Sequence, residues 1–345
     1  MEARTEATAP EFEEVPAAAF DAEGLAKSRE RIKGVLRPTM LRKSAWLSQL
    51  VGGEVWLKLD CLQEGNSFKL RGATNYLLAF RDLHGSLPSR VITASGGNHG
   101  MAVAASCFNL GIPCTVVLPE NANNPYRRMW LEEYYKAEVK VVGSCFQDAN
   151  DHVQSVLAQQ PDGDKSLVYI PPYNSPWVVQ GQATIAGELV EQMKGTIPDR
   201  VVASVGGGGL MSGLILGYKS LLADQPDAKQ PEFVCVETEG ADWFYQSHKA
   251  KQLHRMRFLT SIANTLGATT STQSIYDILE SVSSPEKSVI GPQIVTDRET
   301  VAAIWQFLEH EHLLVEPAAA CNIAAILRDP SKFAGLKTVV IVCGM

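Results

Sequence analysis

The chain has 345 residues, of which 45% are hydrophobic and 20% charged, and its formal net charge is -7 at pH 7. This composition is typical of a soluble globular protein with a large core, and no basic stripe or run predicts a nucleic-acid partner. No apolar stretch reaches the roughly 20 residues that a membrane-spanning helix needs. The seven cysteines are scattered and form no C-x-x-C pair. They indicate neither a disulfide framework nor a zinc site and favour a reducing, cytoplasmic setting.

The first third of the chain begins with an acidic segment. Residues 1–27 lack the apolar core of a signal peptide and are expected to form a flexible tail. A helix-like stretch ends at Lys33, and a second helical pattern covers residues 44–50. Residues 54–60 alternate between apolar and polar side chains, which predicts a strand, and residues 67–80 have helical spacing.

Strands and helices then alternate to the end of the chain. Predicted strands cover 90–96, 114–119, 138–143, 166–173, 200–209, 232–240 and 338–344, and predicted helices cover 99–110, 125–137, 146–160, 183–194, 210–223, 299–312 and 317–327. The most apolar of these strands are typical of strands that helices cover on both faces. The alternation therefore predicts an α/β fold with parallel sheets and right-handed crossovers. The region 245–295 is polar and predicts no particular element.

Three segments between a predicted strand and a predicted helix carry candidate chemistry. Ligands of such sheets bind at the carboxyl ends of strands and against helix N-termini. The first segment contains Lys69. The positive end of the helix dipole should help to keep this amine unprotonated, which Schiff-base formation with an aldehyde requires. The alternative is an ordinary surface lysine on an amphipathic helix.

The other two segments are glycine-rich turns. In Thr93–Gly100, main-chain N–H groups, the Ser95 hydroxyl and the Asn98 amide could bind a carboxylate or a phosphate. A tight turn with an ordinary N-cap explains that segment equally well. Four consecutive glycines at 206–209 let the backbone wrap an anion closely, and they favour phosphate binding over a purely structural turn.

Together these segments match a known family. The motifs are S-F-K-L-R-G at 67–72, S-G-G-N-H-G at 95–100, G-G-G-G-L at 206–210 and V-C-G at 342–344. In their order, spacing and strand–turn–helix context, from about Leu36 onward, the chain resembles the fold type II pyridoxal-phosphate enzymes. The nearest branch contains the serine/threonine dehydratases and serine racemase. The resemblance implies an α/β fold with two open, twisted, mostly parallel sheets flanked by helices, as in the tryptophan synthase β-subunit. It implies a large cofactor-binding domain at 28–88 and 176–345 and a small domain at 89–175.

The resemblance also implies a role for each candidate residue. Lys69 would hold pyridoxal 5'-phosphate as a Schiff base and move protons at the substrate α-carbon, with Ser95 as the second catalytic candidate. The implied cofactor-binding residues are Phe68, Lys69, Asn98, Gly206, Gly207, Gly208, Gly209, Leu210, Glu316 and Cys343, and the substrate-binding candidates are Ser95, Gly96, Gly97, His99 and Tyr173. Cys343 would face the pyridine nitrogen as a neutral group, which weakens the cofactor as an electron sink and suits loss of a β-leaving group. Taken singly, Cys343 and Phe68 could be core residues and Glu316 a capping or salt-bridged residue.

Three positions depart from the family pattern. Serine racemase has a second serine where this chain has Gly96, and glycine has no proton to move, so racemisation is disfavoured. Asn66 stands where the family usually has glycine and is expected to re-shape the entrance. The family's cation site maps to Glu237 and Ala241, so a monovalent or divalent cation is a further expected ligand, although the neighbouring Trp243 cannot ligate through its side chain.

The expected function is that of a pyridoxal-phosphate-dependent lyase. It would dehydrate and deaminate L-serine, L-threonine or a related β-hydroxy amino acid to a 2-keto acid and ammonia. A β-replacement enzyme, an amino-acid racemase and a non-catalytic pyridoxal-phosphate-binding protein are the alternatives. The expected partner is a small amino acid, with no nucleic acid and no membrane, and relatives are typically homodimers.

Overall fold

A computed structural model describes residues 22–161, 163–225 and 228–345. The first helix, α1, covers Ala22–Lys33. Residues 22–27 therefore belong to a helix, and the expected flexible tail is wrong for them. Leu25 explains the difference, because its buried side chain holds this turn of α1 against the protein. The rest of the expected tail lies outside the described residues.

Ten strands form two sheets in the described part of the chain. They are β1 (Leu41–Ser44), β2 (Glu54–Lys58), β3 (Arg90–Ala94), β4 (Cys114–Leu118), β5 (Glu138–Val141), β6 (Leu167–Tyr169), β7 (Arg200–Ser204), β8 (Glu232–Thr238), β9 (Gln293–Val295) and β10 (Lys337–Ile341). The larger sheet has the spatial order β1-β2-β10-β7-β8-β9, and the smaller has the order β5-β4-β3-β6. Apart from the antiparallel β1–β2 pair, all the strand pairs of both sheets are parallel. The predicted fold class is thereby confirmed.

Helices connect these strands and cover the sheets. They are α1, α2 (Ala45–Val51), α3 (Lys69–His84), α4 (Asn98–Leu110), α5 (Pro125–Met129), α6 (Phe146–Leu157), α7 (Pro176–Gln192), α8 (Gly209–Leu221), α9 (Trp243–Ala250), α10 (Gln273–Ser283), α11 (Asp297–Glu311) and α12 (Pro317–Arg328). No helix of the described residues is both long enough and apolar enough to cross a membrane.

Apart from shifts in element boundaries, the structure differs from the predicted elements in three places. The predicted helix 125–137 is α5 followed by a π-helical segment, Trp130–Tyr134. The edge strand β1 has the sequence LRKS, which has no strand-like apolar pattern, and its pairing with β2 makes it a strand. The region 245–295, which predicted no element, contains most of α9, all of α10 and part of β9.

Helix α3 carries Lys69 and packs into the core around the smaller sheet. Its Leu70, Ala73 and Leu77 share one buried cluster with residues of β3 and α4. On another side α3 meets α7 closely, since a Cβ at Gly72 would come within 2.8 Å of Val178 Cγ1. The glycine of the S-F-K-L-R-G motif is thus required by helix packing, and this packing fixes the start of α3.

Candidate active site

A cavity of about 750 Å³ collects the residues that the motifs single out. It lies beyond the carboxyl ends of β3, β6, β7 and β10 and at the start of α3, which is where parallel sheets place ligand sites. Its lining includes Phe68, Lys69, Ser95, Gly96, Gly97, Asn98, His99, Tyr173, Gly206, Gly207, Gly208, Gly209, Leu210, Glu316 and Cys343. Every predicted catalytic, cofactor-binding and substrate-binding residue is therefore brought to one cavity.

Lys69 is the first residue of α3, and its amine faces the cavity. Nζ donates a hydrogen bond of 2.6 Å to the carbonyl oxygen of Pro172 and lies 5.2 Å from the ring centroid of Phe68. Burial lowers the pKa of Lys69 to about 8, although Cys343 and Glu316 act in the opposite direction. About a tenth of this amine is therefore unprotonated at pH 7, far more than for an ordinary lysine, and the unprotonated amine is the nucleophile.

The tetraglycine turn links β7 to α8 and is built for close approach. Gly208 has φ +85, in the left-handed region, and a Cβ at Gly207 would lie 2.1 Å from Tyr173 Cδ1. Side chains are thus excluded at both positions. The helix begins at Gly209, and the first N–H groups of a helix have no acceptor within it. The turn presents an anion site of the kind that binds phosphate.

Asn98 and Glu316 meet across the cavity. Asn98 Nδ2 lies 3.0 and 2.9 Å from the two carboxylate oxygens of Glu316. Burial raises the pKa of Glu316, while the bond from Asn98 acts against this rise. This contact joins the N-terminus of α4 to that of α12, and it places an amide and a carboxyl beside Lys69, whose charge also acts on Glu316.

Cys343 lies just beyond β10, next to the segment that carries Lys69. Its carbonyl accepts the N–H of Phe68 at 3.0 Å, and its Sγ lies 3.5 Å from Ser204 Oγ. Burial raises the pKa of the Cys343 thiol well above its ordinary value. The thiol is therefore neutral, as the resemblance implies for the group that faces the pyridine nitrogen.

The turn after β3 presents both donors and acceptors. Ser95 Oγ accepts the N–H of Gly97 at 3.2 Å, and a serine hydroxyl that accepts one bond can also donate another. His99 Nε2 lies 2.8 Å from the carbonyl oxygen of Ile170, so Nε2 carries the proton, because a carbonyl oxygen only accepts. Burial and then Lys69 lower the pKa of His99 to about 3. Its ring is neutral and offers no positive charge to a carboxylate.

Two predicted positions lie elsewhere. Glu237 and Ala241 are buried near the start of α9 and do not line the cavity in the described structure. The Glu237 carboxyl group accepts the N–H groups of Phe244 and Tyr245 at 3.0 and 2.7 Å and so satisfies two free donors at the start of α9, and burial raises its pKa well above the ordinary value. Trp243 Nε1 donates to the carbonyl of Gly206 at 2.6 Å and so braces the tetraglycine turn. The described residues contain no group of three or more His, Cys, Asp or Glu able to hold a metal. The cation at this place stays a prediction.

Asn66 does not line the cavity in the described structure, and its effect on the shape of the entrance stays a prediction. Its φ is 59, in the left-handed region. Asparagine is one of the few residues other than glycine that adopt this conformation at modest cost. Asn66 therefore holds a backbone conformation that glycine also adopts readily.

Several lining residues were not predicted from the motifs. Ser204 ends β7 two residues before the first of the four glycines, and its position at a strand end was a usable signal. Arg127 and the loop before it reach the cavity from α5. Nothing in the local pattern of residues 119–127 indicated a site, because the contact arises from the packing of that loop against the turn after β3.

These residues fit pyridoxal phosphate. The turn at 206–210 offers an anion site in which two added Cβ atoms would clash, Lys69 has an amine of lowered pKa, and the cavity volume of about 750 Å³ is in the usual range for cofactor sites. When bound, this cofactor supplies an aldehyde that links to lysine and a ring that accepts electrons from the substrate α-carbon.

The fold and the cavity thus define the class of enzymes that join a phosphorylated aldehyde cofactor to a buried lysine. The chain belongs to the pyridoxal-phosphate dependent enzymes, whose family model matches residues 32–344. It is similar to the beta-hydroxyaspartate dehydratase of Paracoccus denitrificans, with 32% identity over 93% of this chain and 95% of the relative. The L-serine dehydratase/L-threonine deaminase of Bos taurus is 34% identical over 89% of this chain and 90% of the relative. The structure of maize serine racemase superposes with a TM-score of 0.80 at 27% identity and covers 94% of this chain and 93% of that one.

Proposed function

We propose that this protein is a pyridoxal-phosphate-dependent ammonia-lyase that dehydrates and deaminates a β-hydroxy amino acid to a 2-keto acid and ammonia. The observation that carries the proposal is the Lys69 amine, with a pKa of about 8, in one cavity with the tetraglycine anion site and the turn at 95–99. Relatives named as dehydratases, deaminases and ammonia-lyases support the same chemistry.

In the proposed reaction Lys69 has two tasks and each other group of the cavity has one. Lys69 would hold the cofactor and, once the substrate amine has displaced it, would take the proton from the substrate α-carbon. The substrate carboxylate is held by the hydroxyl of Ser95 and by main-chain N–H groups of the turn at 96–99, because the neutral His99 ring lacks a charge for it. Asn98 and Glu316 orient the cofactor ring, and the N–H groups at the start of α8 hold its phosphate.

Two features support elimination over the alternatives. The buried, neutral Cys343 thiol leaves the cofactor a weak electron sink, which suits rapid loss of a β-hydroxyl. A racemase of this branch needs a proton donor on the opposite face, at position 96. A Cβ at Gly96 would lie 2.3 Å from Ala122 Cβ, so a serine there would not fit without movement of the loop.

The proposal extends to domains, assembly and location. We propose a small domain at 89–175, supported by the smaller sheet within it, and a large domain formed by 28–88 and 176–345. A cytoplasmic homodimer is proposed because relatives are typically dimers and because six of the described cysteines are buried free thiols. The composition favours no nucleic-acid or membrane partner.

The test is keto-acid release by the purified protein loaded with pyridoxal phosphate. L- and D-serine, L- and D-threonine and β-hydroxyaspartate form the substrate panel, and Lys69→Ala is the matched inactive control. Stoichiometric keto acid and ammonia from an L-substrate, absent with the variant, support the proposal. A product formed only when a thiol is added indicates β-replacement, inverted configuration without keto acid indicates racemisation, and either result contradicts the lyase.

A further inference from the structure

The cavity contains a cationic side chain that the proposed reaction does not use. Arg127 of α5 lines the same cavity as Lys69, and its Nη1 donates a hydrogen bond of 3.0 Å to the carbonyl of Gly96. Its backbone is also held, because Asn124 Oδ1 accepts the Arg127 N–H at 3.2 Å as the N-cap of α5. The guanidinium is therefore positioned beside the turn that is proposed to hold the substrate.

The orientation of the Gly96–Gly97 peptide places Arg127 away from the proposed site of the substrate α-carboxylate. In a planar trans peptide, the C=O of Gly96 and the N–H of Gly97 point in opposite directions. The Gly97 N–H is directed toward Ser95 Oγ, whereas the Gly96 carbonyl is directed toward Arg127. The guanidinium thus lies on the opposite side of the turn from the Ser95 hydroxyl, and it is left to contact another part of the substrate.

One cationic side chain of the described lining remains available for a further anion. It is Arg127, because Lys69 is used to hold the cofactor, and Glu316 is the single acidic residue of this lining. Burial raises the pKa of Glu316, and Asn98 Nδ2 lies within 3.0 Å of both its oxygens. A guanidinium has five N–H donors in a planar fork, of which the bond to Gly96 uses one. The remaining donors match a carboxylate in geometry and in charge.

The wall of the cavity around Arg127 is polar as well. Asn121, Asn123 and Asn124 line it together with Pro119 and Ala122. Amide groups such as these donate hydrogen bonds to carboxylate oxygens and contribute little to the burial of a methyl group. This wall therefore suits a charged substrate side chain better than the methyl group of threonine.

We propose that Arg127 determines substrate specificity by binding a carboxylate on the β-carbon of the substrate. The favoured substrate class is then the β-hydroxy dicarboxylic amino acids, such as β-hydroxyaspartate. This inference rests on the proposed lyase function, because it names the substrate class of the same site. The carboxylate and the guanidinium form a charge-assisted pair and exchange no proton.

The test compares two neighbouring arginines. Arg127→Gln removes the charge and keeps a donor for the Gly96 carbonyl, whereas Arg128→Gln is the matched control, because Arg128 pairs with Glu132 at 2.9 Å and does not line the cavity in the described structure. We expect Arg127→Gln to lower kcat/KM for β-hydroxyaspartate by about 10- to 100-fold, mainly through KM. The ratio of its kcat/KM for β-hydroxyaspartate to its kcat/KM for L-serine should fall at least about tenfold, whereas both values for Arg128→Gln should stay within about threefold of the wild type. An equal loss of kcat/KM for both substrates would mean that Arg127 only supports the turn, and it would overturn the proposal. A higher kcat/KM of the wild-type protein for L-serine than for β-hydroxyaspartate would overturn it as well.

A binding measurement separates this inference from the lyase proposal. Calorimetric titration of the cofactor-loaded protein with succinate and with propionate compares a dicarboxylate with a monocarboxylate and requires no turnover. Tighter succinate binding that is lost in Arg127→Gln supports the role of Arg127 even if no keto acid forms. Equal affinity for the two anions in the wild-type protein overturns it, whatever the outcome of the activity assay.

Discussion

Lys69 and Arg71 lie two positions apart at the start of α3, and their surroundings act on their charges in opposite ways. Arg71 is fully buried, and its guanidinium contacts Asp60 at 2.7 Å and Glu188 at 2.5 Å. Burial opposes its charge, but these carboxylates outweigh burial and raise the pKa of Arg71. Lys69 faces the cavity and donates to the uncharged carbonyl of Pro172, and burial lowers its pKa to about 8.

The comparison shows that the hydrogen-bond partner of a buried cationic side chain, more than burial itself, decides whether the side chain stays charged. Burial disfavours the charged form of both residues. A carboxylate within hydrogen-bond distance compensates for this and makes the cation part of the structure, whereas a carbonyl leaves the amine reactive. Chemistry and stability should therefore be separable by single substitutions on one turn of α3.

The largest effect is expected from Lys69→Ala. Keto-acid release should fall by at least about a thousandfold, because the nucleophile that binds the cofactor and the base that takes the α-proton are both lost. The yellow absorption band of the lysine-bound cofactor should disappear. The thermal unfolding midpoint of the cofactor-free protein should change by no more than a few degrees, because Lys69 makes no ion pair within hydrogen-bond distance in the described structure. A retained yellow band would contradict the assignment of Lys69.

Arg71→Met should mainly affect stability, in contrast to Lys69→Ala. It leaves the buried Asp60 and the largely buried Glu188 without their guanidinium, and it should lower the free energy of unfolding by about 3–5 kcal/mol, as measured by urea denaturation. Arg81→Met is the control on the same helix, because Arg81 pairs with Asp82 on the surface and should contribute no more than about 1 kcal/mol. Equal, small losses for both variants would mean that the buried network does not stabilise α3.

Alanine substitutions at two glycines distinguish an effect on cofactor binding from an effect of backbone strain. Gly208 and Gly195 both have left-handed φ, +85 and +81, but only Gly208 lines the cavity, and nothing lies within 4 Å of a Cβ at Gly195. Alanine at Gly195 should lower stability by about 1–2 kcal/mol, and alanine at Gly208 should lower it by more, because its Cβ would also lie 2.4 Å from Ile275 Cγ2. Gly208→Ala should also weaken pyridoxal-phosphate binding by about tenfold, because its Cβ disturbs the turn that supplies the phosphate N–H groups. Fluorescence titration of the apoprotein measures this. Equal cofactor affinity in the two variants would argue against a phosphate site at this turn.

The comparison also shows how much of the site the sequence could predict. The sequence predicts Lys69 and the two glycine turns because, at each of them, a strand, a turn and a helix follow one another within a few residues. The sequence does not predict the partners of Arg71 in this way, because Glu188 lies 117 residues away and only the packing of α7 on α3 brings it near. Arg127 was missed for the same reason, since its contact with Gly96 depends on how two separate βα loops meet.

The smallest effect concerns the pH dependence of cofactor binding. Only the unprotonated amine of Lys69 reacts with the aldehyde, and its pKa of about 8 means that the unprotonated fraction rises about threefold between about pH 7.5 and 8.5 and then levels off. The initial rate of appearance of the yellow band, after pyridoxal phosphate is mixed with apoprotein, should follow this curve. N-α-acetyl-lysine is the reference, because an ordinary lysine amine, with a pKa of about 10.4, gains reactivity up to much higher pH. If the rate measured with the protein rises with pH in parallel with this reference, burial does not lower the pKa of Lys69. The contrast between Lys69 and Arg71 would then be a difference in their hydrogen-bond partners alone.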